Sequence, residues 1–337
     1  MQRFSCPVCS AELFFDASAC GSCGTDLVFE RDGRRFAPAA ARHRCRNRSV
    51  IGCPWEAPQA EALCAACALT RTRPPDGHAE AIGHWAMAER ATRHVVVELD
   101  RLGLRLRPQV AAGDGGLAID MRWSDDGSVT IGHADGVITL DAGEADDVRR
   151  AELQQELDEP YRTMLGHLRH EIGHYWWPLL TGADQGSFQL DRCREVFGDE
   201  RIDYQAAIDR HYAAGPPEGW RDRYVSAYAS MHPWEDFAET FAHYLHLRDA
   251  LDTAAAFGLS VSYPTLEGAA GVHATASAED RSIAIDQLLH QWGTLAVAVN
   301  ALNRSMDLPD LYPFVLTDAV RAKLALVADL VAAGPIG

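Results

Sequence analysis

Eight of the nine cysteines lie within the first 67 residues, in two groups of four. Cys6-Pro-Val-Cys9 and Cys20-Gly-Ser-Cys23 form a CxxC…CxxC set. Each CxxC can fold as a tight knuckle presenting two thiolates to one ion, and two knuckles complete a tetrahedral four-cysteine site. Gly24 follows the second pair, where a knuckle turn calls for positive φ. Cys45, Cys53 and the pair Cys64-Ala-Ala-Cys67 make a second set with one wider spacing. The pattern predicts two structural Zn2+ ions, with cross-pairing between the groups left open. A stretch of about 70 residues cannot bury a large apolar core and needs such clamps. Disulfides are the alternative. They are disfavoured because the opening MQRFSCPVC lacks the apolar centre of a secretory signal, which points to a reducing cytoplasm. Cys193 stands apart and is expected to be a buried, inert thiol.

The second constraint is His170-Glu171-Ile172-Gly173-His174, which reads HExxH. Residues four apart share one face of an α-helix, so the two imidazoles can hold one Zn2+ and leave room for a third ligand and a water. The glutamate between them can take a proton from that water. Asp158 is a candidate N-cap and Pro160 suits a first turn. Pro178 is expected to stop the helix. Leu165, Leu168, Ile172 and Tyr175 recur at spacings of three or four, as a buried stripe does.

A third ligand lies downstream. Residues 233–244 read as a helix with Pro233 in its first turn and acids near its N-terminus. Glu235 and Glu239 are one turn apart. One can complete a His-His-Glu site, and the other can fix the tautomer of a ligating imidazole. We assign Glu235 to the metal and Glu239 to the imidazole, an order that spacing leaves open.

HEIGHYWW followed by YASMHPWEDFAETFAHY resembles the bacterial zinc-binding metallopeptidases of the gluzincin class, and EDFAE is similar to the third-ligand helix of lethal-factor-type toxins. The resemblance spans most of the chain, including the cysteine-rich N-terminus. It implies that the first Glu of the ExxxE pair, Glu235, ligates zinc. It also implies that a Tyr seven residues earlier, here Tyr228, donates to the tetrahedral intermediate. An α+β fold follows from the same likeness: a gluzincin-like metallopeptidase domain with a small antiparallel sheet and a mostly helical remainder, preceded by a zinc ribbon.

Other polar residues have plainer readings. His167, three before His170, reads as a cleft-lining or hydrogen-bonded residue. His243 and His246 read as packing or surface histidines. Glu200, Asp203 and Tyr204 could support the cleft or contact substrate, and fit a salt-bridged helix face equally well.

The formal charge of −17 is uneven. Residues 1–75 carry ten Arg and seven acids, or +3, leaving −20 for the rest. A basic ribbon invites a nucleic-acid reading. Two Zn2+ ions on eight thiolates would remove the excess, with Arg42, Arg44, Arg46 and Arg48 offsetting the clusters. No aromatics interleave with these arginines to stack bases, which argues against nucleic acid. No apolar run approaches the roughly 20 residues needed to span a bilayer.

The expected organisation is a double zinc-ribbon-like module over 1–72, a linker at 72–77, and a metallopeptidase domain over 78–337. Within the latter, a helix is expected near 79–102. Strand-like pieces follow at 117–123, 129–132 and 136–140, with a turn at Asp125-Asp126-Gly127. Val137–Leu140 is the candidate edge strand for an extended peptide, and 182–219 could border the cleft. Together these features predict a zinc-dependent peptidase acting on peptides or flexible protein segments, with one catalytic and two structural Zn2+. The ribbon could also meet a protein partner. The alternatives are a catalytically silent peptide-binding scaffold, a nucleic-acid-binding ribbon with an accessory amidase, and an amidase acting on a non-protein amide.

Overall fold

The computed structural model describes residues 3–123, 131–146, 163–183, 186–263, 272–274 and 284–336. Asp125-Asp126-Gly127, Val129, Asp158 and Pro160 lie outside these residues. The chain divides into two compact units, Gln2–Glu171 and Ile172–Gly337.

The first unit begins with two antiparallel pairs. β1 (Phe4–Ser5) pairs with β2 (Glu12–Leu13), and β3 (Leu27–Glu30) pairs with β4 (Arg35–Pro38). The small core behind them is aromatic. Phe29 sits at its centre, 5.0 Å from Phe15, 5.6 Å from Phe4 and 5.4 Å from Trp55, mostly edge-to-face. Such contacts add to plain area burial, which suits a segment with few aliphatic side chains. A short helix, α1 (Arg48–Ile51), ends at Gly52, whose φ of 67° lets the chain turn straight into Cys53.

β5 (Thr70–Thr72) leaves the cysteine-rich segment, and α2 (Ala79–Leu102) follows. Trp85, Ala88, Ala91 and Val95, which recur in the sequence at helical spacing, are buried along one face, and Leu99 is buried beyond them. Gly103, at φ 72°, closes the helix. Arg31 grips Asp100 on α2 through two bonds of 2.6 and 2.7 Å, and Arg90 on α2 reaches Asp16 at 2.6 Å.

β6 (Ala118–Arg122), β7 (Gly132–Ala134) and β8 (Val137–Asp141) complete a four-stranded sheet in the order β5-β6-β8-β7. The sheet is mixed, not antiparallel as expected. Only β7 and β8 run antiparallel, joined by Asp135-Gly136 with φ of 51° and 76°, the left-handed pair that a two-residue hairpin needs. β8 then pairs in parallel with β6, as does β5. Alternation of apolar residues carries no information about strand direction, so the sequence pattern could not distinguish these arrangements. β8 is therefore interior, which corrects the edge assignment of Val137–Leu140. The edges are β5 and β7.

α3 (Met164–Thr181) begins at the end of the first unit and continues into the second. Pro178 does not stop it. The proline forfeits one helical donor, but three residues remain before Gly182, which ends the helix at φ 61° with its N–H on the Pro178 carbonyl at 3.0 Å.

The described residues of the second unit are mostly helical. α4 (Phe188–Phe197) is capped by the Ser187 hydroxyl, and α5 (Tyr204–Ala214) by the Asp203 carboxylate. α6 (Pro233–Ala256) starts as predicted, with Pro233 in the first turn and the His232 ring accepting the Trp234 N–H. β9 (Val261–Tyr263) pairs with β10 (Val272–Ala274), and α7 (Ile285–Ser305) and α8 (Asp318–Ala333) follow. Within this unit α3 and α6 cross closely. A Cβ on Gly173 would lie 2.9 Å from the Ala238 Cα, so glycine in the fourth position of HEIGH is what the crossing requires. Lys323 on α8 meets the buried Asp236 on α6 at 2.6 Å. Among the described residues no helix is long and apolar enough to cross a membrane.

Candidate metal centres

Among the described residues the structure gathers three donor sets. Cys6, Cys9, Cys20 and Cys23 form the first, and Cys45, Cys53, Cys64 and Cys67 the second. A tetrahedral zinc with Zn–S near 2.3 Å has sulfurs about 3.8 Å apart along each edge. The Cys6–Cys23 and Cys9–Cys20 sulfurs are 3.7 and 3.6 Å apart, and Cys53 lies 3.7 Å from both Cys64 and Cys67. The nine sulfurs are all free thiols, so the disulfide alternative is not adopted. Gly24 has the positive φ, 70°, that the knuckle requires.

The electrostatics of these clusters agree with a shared cation. The Thr25 hydroxyl, 3.1 Å away, holds the Cys23 thiol down to about 6. In the second cluster, contacts with Cys53, Cys64 and Cys67 lower Cys45, while Cys45 and Cys53 drive Cys64 up. Packed thiols thus compete for negative charge, and a divalent ion relieves the competition. Three of the four arginines expected to offset the thiolates have acid partners inside the module. Arg42 pairs with Glu30 and Glu56, and Arg44 and Arg48 both pair with Asp26.

The third set is His170, His174 and Glu235, whose ligand atoms lie within 4.8 Å of one another. All three are buried, Glu235 to 1% exposure. His174 Nε2 and Glu235 Oε2 are 3.3 Å apart. That matches the tetrahedral edge of about 3.3 Å expected for Zn–N and Zn–O bonds near 2.0–2.1 Å. The donor set and its spacing fit zinc. Trp234 packs its ring 4.0 Å from that of His174.

Around these ligands, two contacts exceed what the motifs announce. Tyr204, the first residue of α5, donates its hydroxyl to Glu235 Oε1 at 2.7 Å. Its neighbours in FGDERIDY are structural: Glu200 binds Arg194, and Asp203 caps α5. The second contact is at His167, which is buried and hydrogen-bonded. Its Nδ1 is 2.7 Å from Glu144 Oε2 and its Nε2 is 3.2 Å from Glu171 Oε1. Burial alone would lower this imidazole, but the two carboxylates outweigh it and push it up to about 9. The His167–Glu171 contact had a sequence signal, an i,i+4 pair on one helix. Tyr204 and Glu144 had none, being brought in by chain reversals.

The remaining candidates are placed as follows. Tyr228 lies half-buried on the single helical turn Tyr228–Ser230 just before α6, its ring 6.1 Å edge-on from His211. Glu239 accepts the Ser226 hydroxyl at 2.6 Å. His243 is a packing residue, with Nδ1 2.8 Å from the Tyr312 hydroxyl, and His246 is buried beside it. Cys193 is buried, which pushes its thiol up to about 12.

An α+β fold that gathers donor sets suited to zinc points to a class of zinc-binding proteins, and sequence comparison names the family. Residues 81–330 match the family described as "Putative zinc-binding metallo-peptidase", and the chain belongs to it. Residues 3–78 match a zinc-ribbon domain. Uncharacterized proteins of Mycobacterium bovis and of two Mycobacterium tuberculosis strains are each 44% identical over 337 residues, covering 98% of this chain and 95% of each relative. No solved structure matches the chain.

Proposed function

We propose that the chain is a zinc metallopeptidase that hydrolyses peptide bonds in peptides or flexible protein segments. The observation that carries this reading is that the ligand atoms of His170, His174 and Glu235 lie within 4.8 Å of one another, with His174 and Glu235 3.3 Å apart, beside Glu171 on the same helix as the two histidines. These three residues would hold the catalytic ion, and the two four-cysteine sets would hold structural ions. When bound, zinc there would supply Lewis acidity and acidify water toward a pKa of about 7. Glu171 would act as the general base, its carboxylate taking a proton from the attacking water and delivering it to the departing amine nitrogen. Tyr228 donates to the developing oxyanion, a contribution of a few kcal/mol at most. Glu239, anchored through Ser226, steadies a ligand imidazole. Residues 1–72 act as the ribbon module and 78–337 as the peptidase, the ribbon serving as brace or protein-docking element. Its eight metal-binding thiols suit a reducing cytoplasm.

Glu171→Gln tests this reading. The variant should keep its zinc and lose at least about 100-fold in peptide cleavage, since general-base catalysis contributes that much or more. Cleavage at the wild-type rate would overturn the assignment. Zinc bound with no cleavage of any peptide by the wild type would favour the silent scaffold.

A further inference from the structure

His167 stands between two carboxylates, and all three side chains are buried, at 8% exposure for His167, 7% for Glu144 and 6% for Glu171. An ionised carboxylate only accepts hydrogen bonds, so an imidazole placed between two of them is set to donate from both nitrogens. Glu144 is delivered by the sheet. β8 ends at Asp141, whose carboxylate caps the turn Ala142–Ala145 through the Gly143 N–H at 2.8 Å and so presents Glu144. His167 sits one helical turn before Glu171 on α3, so its Nε2 meets Oε1 of the glutamate.

We infer that Glu144 and His167 are positioning residues for Glu171: the sheet-held Glu144 orients the His167 ring, which in turn fixes one oxygen of Glu171 and aims the other at the proton to be moved. This rests on the peptidase reading above. A carboxylate free to rotate would spend little time in a proton-accepting pose, and a doubly bonded ring removes that freedom. The two-carboxylate cradle also keeps His167 cationic, in line with its raised pKa. His167 is thus excluded from the metal by its own bonds, although its spacing to His170 would allow it to approach.

The test uses full-length zinc-loaded protein and three variants, His167→Leu, Glu144→Gln and Glu171→Gln. Zinc content, melting behaviour, kcat and KM are measured for each. His167→Leu should lower kcat roughly 10- to 100-fold with KM unchanged and all zinc retained, and Glu144→Gln should lower it less. If His167→Leu does not fold, Glu144→Gln carries the kinetic test. Nitrogen-15 spectra of histidine-labelled wild type provide a readout independent of turnover: both His167 ring nitrogens should carry protons at neutral pH, and Glu144→Gln should strip one of them. A bare ring nitrogen in the wild type would overturn the inference, as would loss of activity only in step with loss of zinc. Wild-type turnover by both positioning variants beside an inert Glu171→Gln would overturn the inference while leaving the peptidase reading intact. An active Glu171→Gln would instead remove the reading on which it rests.

Discussion

Two tyrosines flank the third-ligand helix, and their surroundings assign them different tasks. Tyr204 already bonds Glu235 Oε1, so its hydroxyl fixes the carboxylate that offers Oε2 toward His174. Tyr228 precedes Glu235 by a single helical turn and a short link, with its ring near His211. Tyr204→Phe should therefore weaken zinc at the His-His-Glu site roughly 10-fold, measured by chelator competition, without touching the thiolate sites. Tyr228→Phe should leave that affinity unchanged and lower kcat by about 100-fold. The reverse pattern would exchange their roles. The donors that the fold gathers were legible where they fall in a short helical pattern. His170 and His174 could be read from HExxH, while the ExxxE spacing offered Glu235 and Glu239 alike and only the fold brings Glu235 to the histidines. Tyr204 could not, because its partner is 31 residues away and the connection is made only by the fold.

Among the elements, the crossing of α3 and α6 decides whether the metal ligands meet. Gly173 has the Ala238 backbone against it, so a methyl group there must push the helices apart. Gly173→Ala should cost about 1–3 kcal/mol of stability in denaturant titration and weaken the His-His-Glu zinc site, since α6 carries Glu235. A variant as stable as the wild type would mean that the crossing yields easily. The first turn of α6 also carries a pH signature. Burial pushes the Asp236 carboxyl up to about 7 against the pull of Lys323. An unfolded aspartate titrates near 3.9, so between those values the folded chain holds the extra proton. The contribution of this group to stability is therefore greatest at low pH, falls as pH rises toward about 7, and is level above it. The unfolding free energy of the wild type minus that of Asp236→Asn should decline from pH 5 to about pH 7.5. A flat difference would show Asp236 ionised throughout. The extent of α2 was anticipated from its apolar stripe and the start of α6 from Pro233 and the acids that follow it, whereas Pro178 did not end α3 and the bounds of the other helices of the second unit were not read. The sheet was not, because strand order and direction depend on which distant backbone offers its hydrogen bonds, and β8 chose β6 over an edge position.

For the whole molecule, the ligand chemistry divides the metal into two kinds. An organomercurial should consume eight thiols and release two zinc ions, leaving a third on His170, His174 and Glu235. Cys193 should stay unmodified until the chain unfolds, because burial keeps its thiol protonated. Release of one zinc would break the account of the second cysteine set, and an initial content of two would remove one of the three sites. The net charge of −17 does not bear on the fold, but the pairing of Arg42, Arg44 and Arg48 with acids changes how the basic segment is read. Half of its ten arginines, Arg3, Arg35, Arg42, Arg44 and Arg48, pair with acids inside the module, and a count of arginines along the sequence could not show that.

The parallel pairing of β5 with β6 also sets an order of events. β5 emerges three residues after Cys67, yet its partner lies beyond the whole of α2, and the Arg71–Asp120 bonds that accompany the pairing span 49 residues. During synthesis the cysteines leave the ribosome well before β6 exists, so metal capture can precede sheet closure by seconds at ordinary elongation rates. The loop that must then close is long and pays its entropy before any hydrogen bond rewards it. A ribbon already clamped by zinc would offer β5 as a fixed template, so refolding monitored with zinc supplied should close the sheet faster than refolding with a chelator present.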